Sequence, residues 1–484
     1  MHTHNTICAI ATAPGGAIGI IRLAGEKAIA VTERIFTPAG GKPLRERKAH
    51  SLTFGKIHNE AGEIIDEVLV SLFRAPHSYT GEEAVEISCH GSRFILQTIL
   101  QMLIDGGCRL AEPGEFTQRA FLNGRMDLSQ AEAVADLIAS STAANHRIAM
   151  SQMRGDFSKR LATLRERLLH LTSLLELELD FSDHEDLEFA DRSQLDAIAA
   201  EVESVTARLA NSFSTGNALK NGLPVAIVGS TNSGKSTLLN ALLHDERAIV
   251  SDIHGTTRDV IEDTYNIGGT LFRFIDTAGL RSTDDTIEQL GIERSWQKLG
   301  EAQIVLFVVD STQAESQLSA LATDILSDAA DKHLVVVFNK SDLVPNDPSH
   351  LLEQYVGKTL SSEQTDTSSE TNSSTSLLSL TTLHISAKEG IALDRLTETL
   401  VRLAQSQTES SGDIIVTNAR HYAALSAALT DIRRVRQGMA TGLSGDFIAQ
   451  DLRECLFHLA EITGGAITTD EVLGTIFKHF CIGK

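Results

Sequence analysis

The segment Val225-Ala226-Ile227-Val228 runs directly into Gly229-Ser230-Thr231-Asn232-Ser233-Gly234-Lys235-Ser236-Thr237, and Leu238-Leu239-Asn240 follows. The order is an apolar run of strand length, a loop matching G-x-x-x-x-G-K-[ST], and the start of a helix. A buried strand that delivers such a loop to a helix N-terminus requires an α/β layer built on a mostly parallel sheet. Glycines let the backbone N–H groups wrap phosphates, and the helix end adds partial positive charge. Lys235 reaches the β- and γ-phosphates, and the Ser236 hydroxyl can ligate Mg²⁺.

Four further motifs follow in order. Asp276-Thr277-Ala278-Gly279 ends the apolar run 271–275. A carboxylate there can hold the Mg²⁺ shell, and the Gly279 N–H can approach the γ-phosphate. Gly255-Thr256-Thr257-Arg258-Asp259 lies between these phosphate motifs, where Thr257 can complete the Mg²⁺ coordination. Asn339-Lys340-Ser341-Asp342 follows the buried-strand pattern at 334–338. The Asp342 carboxylate can accept the N1–H and 2-amino hydrogens of guanine, which adenine does not offer, so the nucleotide is expected to be GTP. Ser386-Ala387-Lys388 then supplies backbone to close over the base. Leu280 occupies the position where many GTPases place a water-orienting glutamine, so water activation must come from elsewhere; Glu288 is the candidate.

At 484 residues the chain is too long for one core and is expected to form several domains. A formal charge of −22 disfavours non-specific DNA or RNA binding. Arg433, Arg434 and Arg436 offer one basic cluster, which reads first as a solvated helix face. No apolar run is long enough to span a membrane, and Met1-His2-Thr3-His4-Asn5 lacks the layout of a signal peptide. A cytoplasmic protein without membrane or DNA partners is therefore expected. Five scattered cysteines form neither a disulfide framework nor a zinc pattern. Four read as small buried hydrophobes, whereas Cys481 lies in a tail where its thiol can act as nucleophile or acid.

Texture changes along the chain. Apolar runs at 18–23, 67–73 and 84–88, with a helical run near 94–104, give a compact α/β unit. Leu128, Ala131, Val134, Ala135 and Ile138, then Leu161, Leu164, Leu168, Leu171 and Leu175, recur at helical spacing. Strands and helices alternate from about 223 to 405, and helices resume over 418–480. The economical reading is a multidomain chain of α/β and all-α parts, in which one helical domain is interrupted by an inserted P-loop (Ras-like) G domain; two separate helical domains are the alternative. The expected boundaries are 1–124 for the α/β domain, 125–221 and 406–484 for the two helical parts, and 222–405 for the G domain. The Ser/Thr-rich stretch 359–382 reads as a flexible insert.

The domain order, the Gly255–Asp259 segment, Asp276-Thr277-Ala278-Gly279-Leu280-Arg281 and the ending Phe480-Cys481-Ile482-Gly483-Lys484 resemble the MnmE (TrmE) family of tRNA-modification GTPases over essentially the whole chain. The resemblance implies a homodimer, formed through the N-terminal domain, that joins an FAD-dependent partner of the MnmG (GidA) type in a heterotetramer. Together they modify C5 of the wobble uridine of tRNA, using a one-carbon unit from a 5-formyl- or methylene-type tetrahydrofolate. It also implies a K⁺ site that uses the Asn232 side chain and the segment Ser251-Asp252-Ile253-His254-Gly255-Thr256, with Ser251, Ile253 and Thr256 among the ligands. Glu288 matches the family's water-activating glutamate. Folate contacts fall on Arg22, Glu86, Arg125 and Lys484, and Cys481 lies in the tail that points to that site. The chain departs from the family at Thr231, for a common proline, at Ser251, for a common threonine, and at Arg125, where many relatives carry lysine. The rival reading is a ribosome-assembly GTPase switch without folate chemistry. A dynamin-like membrane GTPase is disfavoured, because Cys481-Ile482-Gly483-Lys484 is not a prenylation box.

Overall fold

The computed structural model describes residues 5–180, 192–230, 232–244, 249–250, 262–276, 300, 302–329, 332–345, 348–352, 379–408 and 414–465, together with 473, 476–478, 480 and 483. The backbone divides into two compact units. The first is Met1–Ala139 with Ala149–Thr206 and Ala424–Lys484; the second is Ser140–Ile148 with Ala207–Ala423. The chain leaves the first unit, builds an α/β domain, and returns.

In the first unit, strands β1 (Ile7–Ile10), β2 (Ile18–Ala24), β3 (Phe36–Pro38), β4 (Ser51–His58), β5 (Ile64–Phe73), β6 (Ala84–His90) and β7 (Arg109–Leu110) form one sheet in the order β3-β4-β5-β6-β2-β1-β7. All neighbours are antiparallel except β1 and β7. Alternation decides which face is buried. Val68, Val70 and Leu72 of β5 point into the core with Ile21, Leu23, Val85 and Ile87, while Leu69 stays exposed. Helix α2 (Arg93–Asp105) closes that core with Leu96, Ile99 and Leu103, each at helical spacing on one face. Cys8, Cys89, Cys108 and Cys455 are buried and free, as the scattered pattern suggested.

The helical part of this unit carries the expected leucine stripe. Leu161, Leu164, Leu168, Leu171 and Leu175 of Asp156–Asp180 are all buried, and Gly445–Thr463 packs along the same helix. Leu128 and Ala131 are buried as well, but Ile138 is 44% exposed, so the second stripe fades towards the end of Leu128–Ala139. The arginine cluster is consumed by ion pairs. Arg433 and Arg436 bind Glu203, Arg436 also binds Asp196, and Arg434 binds Asp431, Asp451 and Glu454. The solvated-face reading holds, and the cluster offers little free charge to a nucleic acid.

In the second unit, β8 (Leu223–Val228), β9 (Ile249–Val250), β10 (Glu262–Ile267), β11 (Thr270–Asp276), β12 (Ile304–Asp310), β13 (His333–Asn339) and β14 (Ser379–His384) pair in the order β14-β13-β12-β8-β11-β10-β9. The five strands from β14 to β11 run parallel, and β10 and β9 continue the sheet antiparallel. Strands β8, β12 and β13 are near-continuous apolar runs because helices cover both faces. Leu238, Leu242, Leu396 and Leu400 pack on one side, and Leu318, Ala322, Ile325 and Leu326 on the other.

The Ser/Thr-rich stretch 359–382 is not a flexible insert throughout: Ser379–Thr382 belongs to β14 and pairs with His333–Val336. Hydrogen bonding to an existing parallel edge supplies the order that serine and threonine content alone does not. Residues 359–378 lie outside the described residues.

The division between units falls inside the helix Arg192–Asn221. Its last turns belong with the second unit: the Ser212 hydroxyl accepts the Val416 N–H at 3.0 Å, and Phe213 stacks on Tyr422 at 4.5 Å. No described helix is long and apolar enough to cross a membrane.

Candidate functional site: a P-loop nucleotide site

Three parallel strands end side by side, and their C-terminal ends carry the loops that matter. In open α/β sheets this edge is where ligands bind. Every residue of β8 is buried, so the strand delivers its loop to a defined place. Gly229 and Gly234 have φ of 150° and 95°, and a Cβ at Gly234 would lie 2.2 Å from the Asn339 carboxamide nitrogen. Only glycine combines that backbone with that approach. Asn232, at φ 65°, also takes the left-handed conformation and is exposed. Ser233 is buried, its N–H and hydroxyl both donating to the Ser230 carbonyl, at 3.3 and 2.9 Å.

The helix Lys235–His244 begins at the loop's end, with Ser236 and Thr237 exposed in its first turn. The Lys235 ammonium donates to the carbonyls of Gly229 and Ser230, each at 2.9 Å, and so lies over the loop. A cation above a loop of backbone N–H groups at a helix N-terminus fits a polyphosphate. The backbone of Asp276 pairs with Ile227 and so ends β11 beside the same loop.

The end of β13 and the residues that follow β14 are tied to the phosphate loop. The Asn339 carboxamide is buried; its nitrogen donates to the Ser233 carbonyl at 2.9 Å and its oxygen accepts the Ala387 N–H at 3.0 Å. One side chain therefore joins three motifs. Lys340, left-handed at φ 61°, donates to the Asn232 carbonyl at 3.0 Å and to Asp310 at 2.6 Å. The next residues form a short 3-10 turn, Ser341–Leu343, in which Asp342 is exposed and open to a base. Ser386 exchanges backbone hydrogen bonds with Ile391, at 3.2 and 3.0 Å, which fixes the loop that carries Ala387 and the exposed Lys388.

Asp310 escaped the motif reading. It ends β12, its own N–H bonded to Gln317, its carboxylate held by Thr312 and Lys340. Burial disfavours its charge, but the hydrogen bonds and charge of Lys340 and Thr312 outweigh this and hold the carboxyl below its ordinary range. The available signal was the apolar run 304–309 ending in Asp-Ser-Thr beside two other strand ends.

A second set sits in the first unit. Arg22 and Glu86 are cross-strand partners on β2 and β6, and the guanidinium meets the carboxylate at 2.9 and 2.8 Å. The same guanidinium donates to the Gly483 carbonyl at 3.2 Å and lies 5.6 and 5.7 Å from the ring centres of Tyr79 and Phe116. Burial pushes the Tyr79 phenol up, against its Thr117 hydrogen bond and the Arg22 charge. Arg125 is exposed and packs its stem against Gly81, two residues beyond Tyr79. A paired cation and carboxylate beside two aromatic rings fit a flat heterocycle with an anionic tail.

Several candidates lie outside the described residues: Thr231, the whole of Ser251, Asp252, Ile253, His254, Gly255, Thr256 and Thr257, then Thr277, Ala278, Gly279, Glu288, Cys481 and Lys484.

A family model described as GTP-binding protein TrmE N-terminus matches residues 6–125, and one described as MnmE helical domain matches 128–481. The chain is 60% identical over 481 residues to the tRNA modification GTPase MnmE of Bacteroides fragilis, covering 99% of both chains. It belongs to the MnmE (TrmE) family. The family's proteins from Phocaeicola vulgatus, 54% identical over 517 residues and covered end to end, and from Porphyromonas gingivalis, 50% identical over 490 residues with 99% covered, are similar along all of this chain. As a family member with this P-loop site, the chain is a GTP-hydrolysing enzyme.

Proposed function

We propose that this protein is a potassium-stimulated GTPase that, with an FAD-dependent partner of the MnmG type, modifies C5 of the wobble uridine of tRNA using a folate-borne one-carbon unit. The relatives' shared description as tRNA modification GTPases supports the tRNA substrate. The observation that carries the GTPase part of the reading is the Asn339 clasp, which ties the segment bearing Asp342 to the phosphate loop.

Lys235 and the backbone N–H groups of the loop hold the phosphates. Ser236 and Thr257 would take Mg²⁺, beside Asp276. Asn232, Ser251, Ile253 and Thr256 would take K⁺. A bound cation at that edge offsets negative charge that develops as the γ-phosphoryl leaves. Glu288 orients the attacking water, and Asp342 accepts from the guanine edge. Nucleotide occupancy is transmitted from the G domain to the folate site, where Arg22, Glu86, Arg125 and Lys484 hold the folate and Cys481 acts on the substrate. The working assembly is a cytoplasmic homodimer joined to its flavoprotein in a heterotetramer.

GTP hydrolysis in potassium against sodium, at equal ionic strength, tests the cation mechanism. Strong potassium stimulation is expected, and equal rates would remove the K⁺ site. Calorimetric titration with 5-formyltetrahydrofolate tests the second site. Binding that survives Arg22→Ala unchanged would count against it.

A further inference from the structure

The segment Lys42-Pro43-Leu44-Arg45-Glu46-Arg47-Lys48-Ala49-His50 concentrates cations in a chain whose formal charge is −22. It forms a held surface. Leu44 is fully buried and anchors a 3-10 turn, Leu44–Glu46, in the core of the first unit. The Arg74 guanidinium donates to the carbonyls of Arg45 at 2.8 Å and Arg47 at 3.4 Å, pinning the loop from below. The Arg47 side chain closes it by donating to the Lys42 carbonyl at 3.2 Å, and the Ser51 hydroxyl donates to the Lys48 carbonyl at 2.6 Å.

Charge compensation is uneven here. Glu33 is engaged by Arg45, and Glu83 by Arg74. Lys42, Arg47 and Lys48 meet no carboxylate within ion-pair distance among the described residues, and Glu46 is the lone acid within the loop. Lys42, Arg45, Lys48 and His50 are exposed, Arg45 to 70% of its side chain. The contrast with Arg433, Arg434 and Arg436 decides between the two basic clusters, because those three guanidinia are already bound to carboxylates.

We propose that the loop 42–50 is a docking surface for RNA phosphates, with Lys42, Arg47 and Lys48 as its contacts. The proposal rests on the tRNA reading above and names the face by which this acidic chain receives its substrate. Cations without a carboxylate partner, carried on a backbone held by hydrogen bonds, bind a polyanion by releasing its counterions, which needs no base contact and suits recognition of a folded RNA backbone. Among polyanions an RNA backbone is the occupant, because tRNA is the proposed substrate and these cations are left without carboxylate partners among the described residues.

The test is fluorescence anisotropy of labelled tRNA with the full-length protein across a potassium chloride series. Lys42→Gln with Lys48→Gln preserves the Arg47 and Arg74 hydrogen bonds, so the loop should keep its shape. The expected result is roughly tenfold weaker binding at low salt, with the slope of log affinity against log salt smaller by about two. GTP hydrolysis should be unchanged, and unchanged thermal unfolding of the first unit verifies that it is folded. Adding Arg47→Gln should lower the slope by about one more. If the parent binds tRNA and the double variant binds equally, with the same slope, the surface is wrong while the tRNA reading stands. If the parent binds no tRNA at any salt, the surface falls, while the tRNA reading, which includes the flavoprotein, is not overturned. Unchanged tRNA binding with weakened self-association would assign the patch to protein contacts and overturn the proposal.

Discussion

The Asn339 carboxamide donates to the carbonyl of Ser233 at 2.9 Å, so the residue that opens the base-reading motif also braces the phosphate loop 106 positions earlier. Its oxygen simultaneously holds the Ala387 N–H, so the two halves of the nucleotide pocket share one buried amide. In the proposed reading, base recognition and the grip on the phosphates are therefore mechanically coupled.

Asn339→Ala should therefore damage both. It strands the Ser233 carbonyl and the Ala387 N–H in a buried setting, at a cost of about 1–3 kcal/mol for each group that water does not reach. A lower melting temperature without nucleotide, and at least tenfold weaker GDP binding, are expected by thermal shift and calorimetry. Unaltered stability would mean that the clasp is incidental.

Asp342→Asn should change which base is bound. The amide presents a donor where guanine also has donors, whereas xanthine offers a carbonyl there. GTP affinity is expected to fall roughly 10²- to 10⁴-fold, as for sites built to match a hydrogen-bond pattern, with xanthosine triphosphate recovered. Competition binding of the two nucleotides measures this; equal loss of both would remove Asp342 from base recognition.

Asp310 makes a prediction in pH. Its folded carboxyl titrates below its unfolded value, so its contribution to stability is complete above the unfolded value and is lost as pH falls through the folded one. Urea midpoints of wild type and Asp310→Asn should differ at pH 6 and converge as pH drops below about 4. A gap that persists at low pH would show that packing, not charge, separates the two proteins.

Gly216→Ala probes the end of the helix Arg192–Asn221. A Cβ there would lie 2.0 Å from the Val416 carbonyl oxygen, which belongs to backbone and has no side-chain freedom to yield. A loss of about 1–3 kcal/mol is expected from overpacking. Chemical denaturation followed on the second unit would reveal it, and a neutral result would mean that the 414–418 segment shifts freely.

Much of this protein is legible in the chain itself, and the reason is locality. Phosphate binding by Gly229–Ser236 uses contiguous backbone, so the residues that do the work are neighbours in the chain. The buried strands announce themselves as Val225–Val228 or 334–338 because each is apolar on both faces, and the leucines at 161, 164, 168, 171 and 175 mark a helix by their spacing alone. The interruption of helical texture by an α/β domain could be read in the same way.

Tertiary structure decided whatever depends on partners distant in sequence. Arg433 and Arg436 look like free charge until Glu203 arrives from 230 and 233 residues away. Lys42, Arg47 and Lys48 sit among ordinary polar residues until the pairings at Glu33 and Glu83 show which cations remain uncompensated. Asp310 earns its role only beside Lys340, and Asn339 only beside Ser233. Motifs specify what a stretch of chain can bind; the charges and hydrogen-bonding groups left available to bind it are set by long-range pairing, because each pairing satisfies some groups and leaves others to solvent or ligand.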